Sequence, residues 1–245
     1  MKKDYIIKWF DSLDSTNNEA MRNMDSAPDM SVWAAKFQTA GRGQRGNTWE
    51  SADNENLTFS LLLKPEYISP ARQFLISEAV SLAVCDYLER KGIETNIKWP
   101  NDIYVGDRKI CGILIEHSLM GDRLSASIVG VGLNVNQKEF VSDAKNPVSM
   151  NQLTHRTYRL EEELNELLVC FAADYAVADS VDFASVEQRY LEKMYRRGEE
   201  HSYVDTESGR TFRGVIMGVD EYACLRVMTE SGERRFAFKE IAYIL

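Results

Sequence analysis

Gln38-Thr39-Ala40-Gly41-Arg42-Gly43-Gln44-Arg45-Gly46-Asn47-Thr48-Trp49 is the stretch on which the fold turns. Gly41, Gly43 and Gly46 satisfy the Gly-x-Gly-x-x-Gly spacing of a dinucleotide fingerprint. That fingerprint needs a loop opening directly into a helix whose N-terminus meets the pyrophosphate. Here polar residues 47–55 follow instead, and then a strand at 56–63, Asn-Leu-Thr-Phe-Ser-Leu-Leu-Leu. The dinucleotide reading fails on context, and no phosphate loop ending Gly-Lys-Ser/Thr occurs elsewhere. What remains is a glycine-rich loop carrying Arg42, Arg45 and Trp49. Glycine lets backbone N–H groups approach an anion, and arginine grips phosphate or carboxylate through two donors. Trp49 offers a face to an adenine ring. An ordinary polar loop is the alternative, and two arginines with an aromatic at its mouth favour anion binding.

Outward from this loop, 5–10 and 31–38 read as strands rich in β-branched and aromatic residues. Asp14-Ser15-Thr16-Asn17 has N-cap chemistry before a short helix at 16–24. Ser69-Pro70 opens a helix running to about Arg90, with Gly92 as its stop. Strands follow at 95–99, 102–105, 109–117 and 124–135, turning at Gly106-Asp107 and Gly121-Asp122. Leu160, Leu164, Leu167, Leu168, Phe171 and Tyr175 mark a helix over 159–178, and another is expected at 183–195. Strands and helices do not alternate regularly, so the class is α+β, a mixed β-sheet with packed helices. Residues 200–245 hold short alternating runs split by turns, the pattern of a small β-barrel. Domains are therefore expected at 1–195 and 196–245.

The chain has 245 residues, 44% of them hydrophobic, enough for a substantial core. Its 29 basic and 38 acidic residues leave a net charge of −9, which repels phosphate backbones and disfavours DNA as a partner. Cys85, Cys111, Cys170 and Cys224 are dispersed among apolar neighbours, and the histidines are His117, His155 and His201. That pattern suits core packing better than a metal site. No signal peptide or membrane-length apolar run is present, so a cytoplasmic protein without membrane contact is expected.

Three more segments carry possible chemistry. Lys98-Trp99-Pro100-Asn101-Asp102 runs a strand into a proline-ended turn. A plain β-turn explains Pro-Asn-Asp, but less well the lysine and tryptophan beside it. In Lys109-Ile110-Cys111-Gly112-Ile113-Leu114-Ile115-Glu116, Lys109 stands at the mouth of a buried strand and Gly112 leaves space beside it. Gly130-Val131-Gly132-Leu133-Asn134 places glycines inside an apolar strand, marking either a bulge or close approach by another group.

Together with Ser15-Thr16-Asn17 and Gly41-Arg42-Gly43, these segments stand in an order and at spacings that resemble the biotin protein ligases. The resemblance covers about residues 5–195, and the β-rich tail is similar to that family's SH3-like C-terminal domain. It implies that biotin is activated by ATP to biotinyl-AMP and passed to a lysine of a biotin carboxyl carrier protein, with Mg²⁺ on the phosphates. Motif residues begin almost at Met1, so the form without an N-terminal DNA-binding domain is expected. Position by position, the resemblance puts Ser15, Thr16 and Gln38 around biotin's ureido ring, with Asn17, Gly43 and Gln44 in the same biotin-binding segments. It puts Arg42 and Lys109 around the carboxylate and α-phosphate, Gly41 and Gly112 at close backbone contacts, and Arg45, Trp49, Lys98, Asn101 and Asn134 toward the nucleotide. Asp102 is the candidate base. Gln44 departs from the family, where arginine is frequent, so retention of the adenylate rests more on Arg42, Arg45 and loop closure. No metal ligand is assigned, and exposed strand edges allow a homodimer. Two rivals stand beside this reading: a lipoate ligase or octanoyl transferase, which shares the architecture, and a non-enzymatic regulator retaining the fold.

Overall fold

The computed structural model of the chain describes residues 5–44, 47–141, 146–180 and 183–245. Its larger sheet contains β1 (Ile6–Leu13), β2 (Ser31–Gln38), β3 (Leu57–Leu63), β4 (Asn96–Lys98), β5 (Asp102–Val105), β6 (Arg108–Met120) and β7 (Arg123–Leu133). Their spatial order is β1-β2-β3-β7-β6-β5-β4. β1 and β2 pair in parallel, and the remaining neighbours are antiparallel. The parallel pair needs a crossover, which α1 (Thr16–Asn23) supplies. The further helices are α2 (Phe74–Arg90), α3 (Met150–Thr154), α4 (Leu160–Ala178) and α5 (Phe183–Glu192). This is the mixed α+β arrangement that the irregular alternation of strands and helices pointed to.

β3, Leu-Thr-Phe-Ser-Leu-Leu-Leu, is buried at every position. Leu57, Phe59, Leu61 and Leu63 join the main core with α2 and α4 residues. Leu62 belongs to a smaller cluster with Ala20, Trp33, Ala126 and Ile128, beneath α1. Thr58 and Ser60 interrupt that second face with buried hydroxyls, Thr58 donating to Ala35 O at 2.7 Å and Ser60 reaching Thr16 and Asn17. α2 is buried over Leu75–Cys85 and at Tyr87 and Leu88, as befits a helix covered by both the sheet and α4.

Helix ends differ from the sequence reading for local reasons. Ser69 and Pro70 start a separate 3₁₀ turn, Pro70–Arg72, and the Ser69 side chain makes no cap bond, so α2 begins at Phe74. α5 stops at Glu192 because the following backbone pairs with β4: Ile97 N donates to Lys193 O (2.8 Å) and Tyr195 N to Ile97 O (2.9 Å). α3 was not foreseen, although its Ser149/Gln152 capping box was visible in the sequence. Ser15 occupies the N-cap position of α1 without a side-chain cap bond. Asp14 instead binds Arg22 (2.8 Å) and Asn18 (2.9 Å), contacts that hold its carboxyl well below the usual range.

The tail forms a second sheet from β8 (Glu200–Asp205), β9 (Thr211–Val219), β10 (Leu225–Thr229), β11 (Gly232–Phe236) and β12 (Ile241–Tyr243). It is antiparallel, in the order β11-β10-β9-β8-β12, with β11 and β12 at its two edges. Tyr203, Ile216, Leu225 and Phe236 merge with the main core. The sheet meets the Lys98–Asp102 turn directly, where Trp99 Nε1 donates to Ala223 O at 3.2 Å. Cys85, Cys111 and Cys170 are buried as expected of core residues, whereas Cys224 lies half-buried in the turn before β10. Among the described residues no helix is long and apolar enough to cross a membrane.

The Lys98–Asp102 turn is also braced from α5. Tyr190 is fully buried, and its hydroxyl donates to Pro100 O at 2.7 Å. Tyr190→Phe strands that carbonyl and should lower the unfolding free energy by about 1–2 kcal/mol. Urea denaturation checks this, and an unchanged midpoint at constant slope contradicts the brace.

Candidate active site

Sheet register builds the floor of the site. Gly112 of β6 stands opposite Gly132 of β7, and Gly130 stands opposite both Leu114 of β6 and Ser60 of β3. A Cβ on Gly130 would lie 2.1 Å from Asn17 Oδ1, and one on Gly132 would lie 2.3 Å from the Trp49 ring. A Cβ on Gly112 would meet the same indole at 2.8 Å and the Lys109 side chain at 3.2 Å. These glycines therefore mark close approach, and side chains from outside the sheet come down onto the backbone.

The glycine-rich loop after β2 lies over this floor. It folds back on itself through Gly43 N to Asn47 O (2.8 Å) and Trp49 N to Gly41 O (3.1 Å), with Arg42 and Thr48 bridged. Gln44 Nε2 donates to Asn101 Oδ1 (3.0 Å) and Ile113 O (3.4 Å), latching the loop to the Lys98–Asp102 turn and to β6. Beneath it is a cavity of about 720 Å³. Ser15, Thr16, Asn17, Gln38, Arg42, Gly43, Gln44, Trp49, Asp102, Lys109, Gly112 and Asn134 all line it. Most of the residues singled out from the sequence thus converge on one cleft.

Others do not line it. Gly41 stands behind Trp49, and Asn101 is buried behind Gln44. Lys98 does not line the cavity; its ammonium is 3.1 Å from Tyr104 Oη and within 5 Å of the rings of Tyr104 (4.9 Å) and Tyr243 (4.8 Å). Tyr104 is a lining residue, so the lysine expected toward a nucleotide stands one side chain back from the cavity. Arg45 lies outside the described residues.

Two ion pairs stand at the cleft. Lys109 Nζ lies 2.7 Å from Asp102 Oδ1, with both side chains about 30% exposed (30% and 28%). Lys109 also hovers 5.8 Å from the Trp49 ring centre. Its backbone is fixed by pairing with the 146–148 segment, through Lys109 N to Asn146 O (2.8 Å) and Val148 N to Lys109 O (2.9 Å). Arg42 grips Glu116 through two bonds, of 2.7 and 3.0 Å. On the other wall Gln38 Oε1 accepts from Thr16 N at 2.8 Å, and Ser60 Oγ reaches Thr16 Oγ1 (2.8 Å) and Asn17 Oδ1 (2.5 Å). Asn134 donates to Val148 O at 3.0 Å. Among the described residues, the cleft thus holds Lys109 paired with Asp102 and Arg42 paired with Glu116, the second pair reaching Asn17 of the hydrogen-bonding pocket.

Burial, followed by the Asp102 charge, pushes the Tyr104 phenol above its ordinary value, so it stays a neutral donor. Cys111 is fully buried, and burial likewise raises its thiol above the ordinary value. Three contributors were missed from sequence. Ser60 was signalled by a serine in an apolar strand, Glu116 by its place closing the Lys109 motif, and Tyr104 by nothing local.

Residues 9–134 match the Biotin/lipoate A/B protein ligase family. A biotin–[acetyl-CoA-carboxylase] ligase of Paracoccus denitrificans is 30% identical over 240 residues, covering 94% of this chain and 97% of that protein. The bifunctional ligase/repressor BirA of Bacillus subtilis is 29% identical, covering 95% of this chain and 72% of its own length. The structure of the Aquifex aeolicus biotin protein ligase in complex with biotin and ATP superposes with a TM-score of 0.80 at 27% identity, covering 97% of each chain.

If Trp49 rests on bare glycine backbone, Gly132→Ala must dislodge it. Tryptophan emission of that variant should shift to the red, and the shift should vanish when the same change is made in a Trp49→Phe background. A spectrum identical to wild type refutes this packing.

Proposed function

Because this chain belongs to the biotin/lipoate A/B protein ligase family, we propose that it adenylates biotin with ATP and transfers the biotinyl group to a lysine of a carboxyl carrier protein. One observation carries the reading: Arg42 and Lys109 share a single cleft with Thr16, Asn17 and Gln38. Two cations beside a neutral pocket fit an acid whose far end is a polar, uncharged ring.

A carboxylate is a poor acyl donor, because oxide would have to leave. Joining it to AMP as a mixed anhydride creates a competent leaving group. The barrier includes pressing the carboxylate against the α-phosphate. At about 4 Å and an effective dielectric of about 20, that repulsion is about 4 kcal/mol. Lys109 and Arg42, both lining the cavity, would offset it and favour the charge that builds up on the transferring phosphorus. Ser15, Thr16, Asn17 and Gln38 would hold the ureido ring, with backbone contacts at Gly43 and Gly112, whereas Gly41 acts from behind Trp49. Trp49, Asn134 and Arg45 would face the nucleotide, whereas Lys98 and Asn101 act from behind the wall.

In the second step the carrier's amine attacks the anhydride. With a pKa of about 10.4 it is almost fully protonated near neutral pH, so a base must take its proton. Asp102 lines the cleft, 2.7 Å from the Lys109 ammonium, and is our candidate for that base. The Gln44 latch supports a lid that keeps water from the anhydride. Among the described residues no three His, Cys, Asp or Glu side chains gather as a metal site. Mg²⁺ is therefore read as entering with ATP, held mainly by phosphate oxygens as is usual for this ion, and no protein ligand is assigned to it. Residues 1–195 are read as the catalytic domain and 196–245 as an SH3-like domain, and edge strands such as β1 leave room for a homodimer contact.

Intact-mass measurement of a carrier domain incubated with the chain, biotin and MgATP should show addition of one biotinyl group, and none with lipoate in place of biotin. An unmodified carrier under both conditions rejects the proposal. Lys109→Ala should cut biotinyl-AMP formation by about 100-fold or more while leaving the thermal midpoint in place; near wild-type formation removes Lys109 from the mechanism. Asp102→Asn should slow single-turnover transfer from preformed adenylate, and an unchanged transfer rate dismisses Asp102 as the base.

A further inference from the structure

A guanidinium carries five N–H donors in one plane, and the structure commits three of those on Arg42. Nη1 donates to Asn18 Oδ1 (3.0 Å) and to Glu116 Oε2 (3.0 Å), and Nη2 donates to Glu116 Oε1 (2.7 Å). Glu116 thus fills the end-on fork between the two terminal nitrogens, and Asn18 takes the outer hydrogen of Nη1. Two donors have no partner among the described residues: Nε–H and the second hydrogen of Nη2. They lie side by side on the remaining edge and form a second two-donor fork, the shape that matches a carboxylate or phosphate. Arg42 lines the cavity and Glu116 does not.

Resting on the biotin ligase reading, we propose that Glu116 and Asn18 are positioning residues that fix Arg42 so its side-on edge receives the anion of biotin or biotinyl-AMP. Glu116 is itself held, because Asn17 Nδ2 donates to Glu116 Oε2 at 2.9 Å, and Asn17 Oδ1 accepts from Ser60 at 2.5 Å. The pose of the arginine is therefore tied to the residues around the neutral end of the pocket. A negative charge next to an anion-binding arginine weakens its pull. What it gives in return is direction: a long, rotamer-rich side chain is ordered before the substrate arrives, so less freedom is lost on binding.

A double-mutant cycle on the full chain separates this role from a structural one. Adenylate formation by the wild type tests the family reading, and ratios within the cycle test the positioning. Glu116→Ala should lower kcat/KM for biotin about tenfold, as expected for losing charge-assisted bonds. In an Arg42→Ala background the same change should add less than about a twofold loss, because the group it aims is gone. Glu116→Gln, which keeps the volume and one acceptor, should fall between wild type and Glu116→Ala, and it replaces Glu116→Ala in the cycle if the latter fails to fold. A Glu116 variant as active as wild type, or more so, shows that the acid merely competes with substrate and overturns the proposal. An equal tenfold loss in both backgrounds overturns it too, by assigning Glu116 to the fold.

Discussion

Everything at this site depends on two strands meeting with glycine against glycine. Gly112 and Gly132 face each other across β6 and β7, and Gly130 lies one step along. A sheet face is normally roofed by its own side chains, which stand well clear of the backbone. Removing them at adjacent positions lets Trp49 and Asn17 come down to the backbone itself. The cleft is the volume between that lowered floor and the glycine loop above. Its walls follow from the floor: Lys109 stands at the mouth of the same strand as Gly112, and Asn134 follows the strand that carries Gly130 and Gly132.

The sequence was most informative where local chemistry restricts the choices. The loop at 38–49 could be excluded as a dinucleotide fingerprint because a strand follows it, and β3 then proved to be fully buried. Glycines inside an apolar strand left two options, a bulge or a close approach, and the register decides for close approach at Gly130 and Gly132. Long-range choices were less visible. Nothing near Lys98 in the chain says that Tyr243, far along the sequence, would take its charge against an aromatic face. Asp102 and Lys109 are separated by a hairpin turn, and only β5–β6 pairing with its register shift brings the two side chains to contact. Ends of helices were misread where a backbone found a partner outside the helix, as at Lys193 and Tyr195 against Ile97.

Charge in the cleft is arranged in matched pairs. Lys109 has Asp102, and Arg42 has Glu116, each at 2.7 Å and each partly open to solvent. Such pairs contribute little to stability when exposed, so their value must lie elsewhere. A bare pair of cations in a narrow cleft would repel one another and bind any passing anion. Supplying each with a carboxylate offsets its charge in the free protein, and it means that an incoming phosphate or carboxylate enters by exchange or by using donors left over. Those two modes are distinct for the two residues. Lysine is a compact charge whose three hydrogens point as they please, so exchange suits Lys109. Arginine has a second edge and can keep its acid while taking a substrate.

The same distinction explains how a neutral residue can stand at position 44, where this family often has arginine. A third cation there would need its own acid or would be left unpaired near the other two. Gln44 instead spends its amide on Asn101 and on the backbone of β6. Those bonds hold the loop down without adding charge to the cleft. On the proposed function, closure and electrostatic grip would thereby be separated between residues, Gln44 supplying the first and Arg42 with Lys109 the second. A loop closed by neutral bonds can reopen without breaking an ion pair, which suits a lid that must exclude water during one step and admit a protein-borne lysine in the next.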